Sequence, residues 1–234
     1  AVQGEAEGVE RAVRTRPAVH NGEPHGRRSV MARVGFVFEC GRGGADTQVC
    51  IHFLGRLNPD IQPVSRFMDH KKRLVEECGP VAAELLQTCE RVIIVWDLFP
   101  LWRPAGKPCR HADRQSIFAS LAAHKVPIER VSLVCIREEL EAWLLADRRA
   151  VEAVVGARKR PHNVQKFTAP KKPDATADPK TRLTRYFVEE LGPGRKSSAA
   201  VDAIRIAKAI PDWTKLKRSD SFRRFAEKAA GVIV

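Results

Sequence analysis

Glu39 closes the run VGFVFE, Asp97 closes VIIVWD, and Glu139 and Glu141 follow VSLVCIRE. Each run is short, apolar and β-branched, the pattern of a strand buried on both faces. In an open α/β sheet, ligands and metals bind outside the carboxyl ends of the strands, so these acids are expected to share one edge. Carboxylates gathered there cannot neutralise one another. They need a hard cation such as Mg²⁺ or Mn²⁺, or a basic partner, to offset their repulsion.

Each acid also has a purely structural reading. Glu39 enters the glycine-rich turn CGRGG, and glycines allow a tight turn and close approach to a phosphate or a metal-bound water. The GRGGAD run lacks the GK[ST] of a P-loop, and a lone strand-end Glu more often has a structural role. Asp97 either emerges at the sheet edge, is buried with a partner, or caps the Pro-rich turn that follows. Glu138, Glu139 and Glu141 stand at a strand-to-helix transition, where the helix dipole favours acids whatever their chemistry. Glu139 and Glu141 are two apart and do not share a helical face, although both reach one metal if a turn lies between them. No histidine has zinc or metalloprotease spacing, and no GxSxG elbow marks a serine hydrolase.

The elements that position these residues follow from the alternation of patterns after Met31. RVGFVFE reads as a strand and Asp46 to Leu57 as a helix, with Val49, Phe53, Leu54 and Leu57 at helical spacing. IQPVSRF is extended, and Lys71 to Thr88 is helical with a break at Gly79 and Pro80, giving two pieces. ERVIIVWD, a helix over DRQSIFASLAAHKV and the strand RVSLVCIR complete a βαβαβ alternation, which points to a parallel, Rossmann-like sheet. The remainder reads as helices: EELEAWLLADRRAVEAVV, PKTRLTRYFVEEL, SAAVDAIRIAKAI and SFRRFAEKAA, with a Lys/Pro linker near Pro161 to Pro179.

The chain of 234 residues is long enough for one large α/β domain or a domain with an appendage. Residues 1–30 have no sustained apolar period and read as a disordered or non-native leader, 31–147 as the α/β core, and 148–234 as a basic helical extension. The formal charge is +13, and residues 148–234 alone hold 21 Lys/Arg against 9 Asp/Glu. That asymmetry favours nucleic acid through counterion release, against the plainer role of a solubilising basic face. The candidate phosphate contacts are Lys180, Arg182, Arg185, Lys215, Lys217, Arg218, Arg223 and Arg224. The interleaved Tyr186, Phe187, Phe222 and Phe225 are expected to fill the core. Six cysteines without a CxxC pair, and the lack of any run of membrane-spanning length, suit a soluble cytoplasmic protein.

The segments FVFECGRGGAD, RVIIVWDLFPLWRP, KPCRHADR, VSLVCIREELEAWLLAD, DPKTRLTRYF and SFRRFAEK together resemble the Toprim-like family known as domain of unknown function 4276. The resemblance spans about residues 33–230 and is most specific in ELEAWLLAD. It implies a Rossmann-like fold in which a strand-end Glu and a later Asp-x-Asp bind Mg²⁺ and cut or join phosphodiester bonds, as in topoisomerases, primases and overcoming-lysogenization-defect nucleases. It also implies a role in phage defence beside an ATPase. By position, Glu39 matches the first glutamate, Asp97 the first aspartate of Asp-x-Asp, and Glu139 or Glu141 the next acid. Phe99 replaces the second aspartate, so a full metal set would recruit Glu139, Glu141 or Asp46. The expectation is a Mg²⁺- or Mn²⁺-dependent nuclease on DNA or RNA; the alternative is a non-catalytic subunit of the same fold that binds nucleic acid or an ATPase.

Overall fold

Three of the strand-like runs become strands because each alternates its apolar side chains between two covered faces, while IQPVSRF forms a half-buried strand at one edge. A computed structural model describes residues 31–100, 109–158, 164–192 and 199–234; the leader assigned to 1–30 and part of the Pro-rich loop and of the linker lie outside them. The strands are β1 (Ala32–Phe38), β2 (Ile61–Phe67), β3 (Arg91–Asp97) and β4 (Val131–Ile136), all parallel and ordered β2-β1-β3-β4. Strand order therefore reverses between β1 and β3, the switch point at which an open α/β sheet forms its crevice.

Val34, Phe36, Phe38, Ile93, Val95, Val134 and Ile136 line one face. Val37, Val92, Ile94, Trp96 and Cys135 line the other. Two helices cover the second face: α2 (Lys71–Leu85) and α3 (Arg110–Ala123). Over the first face lie α1 (Ala45–Leu57), α4 (Glu141–Leu144), α5 (Arg148–Gly156), α6 (Pro179–Leu191), α7 (Ala199–Ala209) and α8 (Asp220–Phe225). The sheet and helices form an α/β fold with a wholly parallel sheet, compatible with a Rossmann-like arrangement.

Residues 148–234 share a single hydrophobic core with that face of the sheet. Tyr186, Phe187, Phe222 and Phe225 are buried in it, and Phe222 stacks edge-on against Phe53 and Trp143. Polar bonds sew the two halves together: Arg56 donates to the carbonyls of Ile210 and Pro211, Asn58 to Ala230 and Arg91 to Ala229. Part of the linker is also fixed. Asp174 accepts hydrogen bonds from Ser219 Oγ, Ser221 Oγ and the Ser221 amide, while Trp143 Nε1 donates to Ser221 Oγ. These groups are all buried, so each would be costly to leave unpaired.

Two local readings change. EELEAWLLADRR is interrupted between α4 and α5, where the buried Asp147 accepts from the amides of Arg149 and Ala150 and starts a new helix. Conversely, α2 runs unbroken through Gly79 and Pro80. Packing overrides the proline there. The Gly79 amide donates to Ser120 Oγ across the α2–α3 contact, and a Cβ on Gly79 would stand 2.2 Å from the Ser120 carbonyl oxygen. Glycine thus lets the two helices meet closely enough to hold α2 together.

That contact makes Gly79→Ala an overpacking change, expected to lower unfolding free energy by about 1–3 kcal/mol in a denaturant titration. Gly55→Ala in α1 meets open space and is expected to raise it by about 0.5–1 kcal/mol. Equal effects of the two substitutions would contradict the close-contact explanation.

Candidate active site at the sheet edge

The parallel register brings the strand-end acids together. Phe38 pairs with Val95 and Asp97 with Ile136, so Glu39 lies beside the last turn of the ladder between β1 and β3. The Glu39 amide donates to the Val95 carbonyl at 3.3 Å, and Glu39 Oε2 accepts from the Asp97 amide at 3.2 Å. Asp97 is half-buried as a residue, yet its Oδ1 is closed to solvent and has no hydrogen-bond partner. An orphaned carboxyl oxygen is rare in a folded interior and marks a place where a further ligand would be favourable.

Asp46 joins the group from the first turn of α1, which the turn after β1 delivers back over the edge. Cys40 Sγ and Thr47 Oγ1 are 3.1 Å apart across that turn. Gly44 suits it, because a Cβ there would come within 2.6 Å of the Cys40 sulfur. After β4 the chain turns through Glu138 at a positive φ of 66° and enters α4 with Glu141 buried. Glu139 Oε2 accepts from the Lys180 amide at 3.3 Å, which draws the start of α6 to the same edge.

The electrostatics confirm that these carboxyl groups sense one another. Burial pushes Glu39 up to about 8; Asp46 and Asp113 add to the shift, while Lys71 and the Asp97 amide oppose it. Burial likewise pushes Glu141 up to about 7, with Asp46 and Glu139 adding and Lys180 opposing. Asp97 is held well above the carboxylate range, first by burial and then by Asp46, Glu39, Glu141 and Glu139. Asp46 is raised by burial and by Glu139, against the Cys40 thiol and Lys180. Glu39, Asp46, Asp97, Glu139 and Glu141 thus lie at one edge, within electrostatic reach of one another. Among the described residues, however, no group of three or more His, Cys, Asp or Glu side chains is placed where it could hold a metal ion.

No protein-family model, curated protein or solved structure matches this chain. The Toprim-like expectation is carried by the motif residues alone.

Two groups at this edge have no counterpart among the acids and bases singled out from the sequence. Lys71 is buried, pairs with Asp113 at 3.2 Å and donates to the Leu98 carbonyl at 2.7 Å. Trp96 Nε1 donates to Asp113 as well. This buried pair fixes the chain immediately after Asp97. Its signal was helical spacing: Lys71 shares a face with Leu74, Val75 and Cys78, and Asp113 with Ile117 and Leu121, and each pair of partners lies on an apolar face.

The basic candidates separate into several places. Lys180 is exposed, and its charge acts on Asp46 and Glu141. Arg182 donates to the Thr168 carbonyl and lies over Phe167, Arg218 donates to Ala146, and Arg223 pairs with Asp220. Lys215 and Arg218 line a separate hollow with Arg148 and Arg149. Arg185 and Lys217 are exposed, and Arg224 faces a cavity beside β4. All six cysteines are free of disulfides, and four of them are buried. No described helix is long and apolar enough to cross a membrane.

A raised carboxyl pKa in the folded chain means that it binds more protons than the unfolded chain between the two values. Stability without divalent cations is therefore fullest below about pH 4.5 for this group and falls as pH rises through about 8. Glu39→Gln is expected to flatten that fall in melting curves recorded in EDTA from pH 5 to about 8.5. A variant with the wild-type pH slope would show that Glu39 does not hold its proton in this way.

Proposed function

We propose that the chain is a metal-dependent phosphodiesterase acting on nucleic acid, with its reacting centre at the carboxyl edge between β1, β3 and β4. The observation that carries the reading is the set of half-buried and buried carboxyl groups at the switch point, with Asp97 Oδ1 closed to solvent and unpartnered. That donor set is all oxygen and rich in negative charge, the chemistry of a Mg²⁺ or Mn²⁺ site rather than of zinc. Asp97 and Glu39 would hold the ion, and a third ligand from Glu139, Glu141 or Asp46 would have to move in, because no three of these acids are placed to hold a metal as they stand. When bound, such an ion supplies Lewis-acid charge to a phosphate oxygen and acidifies a bound water.

The chain's own residues have distinct tasks in this reading. Glu39 binds the cation or relays a proton, and its bond to the Asp97 amide keeps the ends of β1 and β3 in step. Lys71 and Asp113 fix the segment that follows Asp97, which makes them positioning residues. Lys180 brings a positive charge to the acidic edge, suited to a substrate phosphate.

A non-catalytic subunit that keeps the fold is the second reading. Phe99 stands where the resembled motif has its second aspartate, and the carboxyl groups are not gathered as a ready shell. A mixed single- and double-stranded substrate assay with Mn²⁺ separates the two. Wild-type protein is expected to cleave, and Asp97→Asn, nearly the same shape without the charge, to lose at least about 100-fold in rate with weaker Mn²⁺ binding by calorimetry. Unchanged cleavage in Asp97→Asn would overturn the mechanism; Mn²⁺-independent nucleic-acid binding without any cleavage would favour the second reading.

A further inference from the structure

Strand β4 is an edge strand, and it is flanked by α3 on one face of the sheet and by α8 on the other. Two hollows of about 440 and 390 Å³ lie along it and share Arg110, Cys135 and Arg224, so they form one groove. Its first compartment begins at Leu98, the residue after Asp97, and includes Arg137 at the end of β4. The second continues past Trp96 and Leu133 to Val131 and includes Arg114.

The groove is strongly cationic. Arg110, Arg114, Arg137 and Arg224 make no ion pair with a carboxylate among the described residues, whereas the two acids at the wall are already engaged. Asp174 is held by Ser219 and Ser221, and Asp220 by Arg223. Four guanidinium groups lining one groove with no carboxylate ion pair among the described residues have a polyanion as their natural complement, because arginine forks match phosphate oxygens.

We propose that this groove holds a single-stranded polynucleotide and leads its backbone to the strand-end carboxyl cluster. The proposal deepens the phosphodiesterase reading by naming its substrate, and it rests on that reading only for the direction of the strand. Shape selects one strand over two. Duplex recognition inserts a helix or ribbon into a DNA groove, but here the arginines, exposed or half-buried, line hollows between α3 and α8, so the strand would lie along the protein surface. Each compartment has the volume of a small-molecule site, about 300–1,000 Å³ in general, which fits a nucleotide and not a duplex. Half-buried Phe118, with Arg114 over its ring at 5.6 Å, and Ile128, 59% exposed, supply an apolar wall for bases.

The test is fluorescence anisotropy in EDTA with labelled oligo-dT and oligo-U of about 16 nucleotides, across roughly 50–200 mM salt. Arg110→Gln/Arg224→Gln is expected to weaken binding about ten-fold or more and to reduce the slope of log K against log salt by about 1.4, near 0.7 per phosphate contact. Arg110→Lys/Arg224→Lys keeps that slope, Lys72→Gln/Lys208→Gln leaves binding within about two-fold, and a duplex of equal length binds more weakly. The ratio of oligo-dT to oligo-U affinity tells which sugar the groove accepts. Wild-type affinity in the Arg110→Gln/Arg224→Gln variant, equal loss from Lys215→Gln/Lys217→Gln, or no binding by the wild type would overturn the proposal. Because the measurement uses no divalent cation, it separates the two claims. Groove-dependent binding without Mn²⁺ cleavage would sink the phosphodiesterase and keep the groove, and cleavage unaffected by the groove variants would do the reverse.

Discussion

Carboxyl groups crowd together, half-buried or buried, where β1, β3 and β4 end, and the cost of ionising them there is the constraint on which the reading of this edge depends. Desolvation is the first cause of the raised pKa at Glu39, Asp46, Asp97 and Glu141 alike, and the neighbouring acids add to it. An interior of that kind is tolerated by holding protons, by accepting a cation or by placing basic groups nearby. The fold uses the last of these only in part. Lys71 opposes the shift at Glu39 but is already bound to Asp113 and the Leu98 carbonyl, and Lys180 approaches from α6 without an ion pair to the cluster among the described residues.

The helical half of the chain gives this edge its enclosure. Residues from α5 onward fill the same core as Phe36, Val95 and Ile136, so the lid over the α1 face cannot be removed without exposing the sheet. Through Asp174, the linker is tied to the start of α8, and the start of α6 is tied to Glu139. The C-terminal sequence thus contributes both apolar cover and the helices whose ends reach the carboxyl edge and the β4 groove. Many of its cations serve structure first: Arg158 pairs with the buried Asp202, and Arg218 bonds to the Ala146 carbonyl.

The sheet was legible because VGFVF, VIIVW and VSLVCI are dense apolar runs separated by helical periods, and parallel strands force their ends to one side. That geometry also brought Glu39, Asp97, Glu139 and Glu141 within electrostatic reach. The course of α2 through Pro80 was not legible, because it depends on Gly79 and Ser120, far apart in sequence, meeting across two helices. The β4 groove was hidden for a similar reason. Arg110, Arg137 and Arg224 come from three segments that read as ordinary surface charge until the sheet edge brings them together.

The central claim is that the strand-end carboxyl cluster accepts a hard divalent cation, and an anomalous difference map from a crystal soaked in Mn²⁺ tests it most directly. A peak within about 2.0–2.6 Å of Asp97 Oδ1 and of at least one oxygen of Glu39, Asp46, Glu139 or Glu141 is the expected result. Mn²⁺ bound elsewhere, with this edge empty at saturating metal, would contradict it.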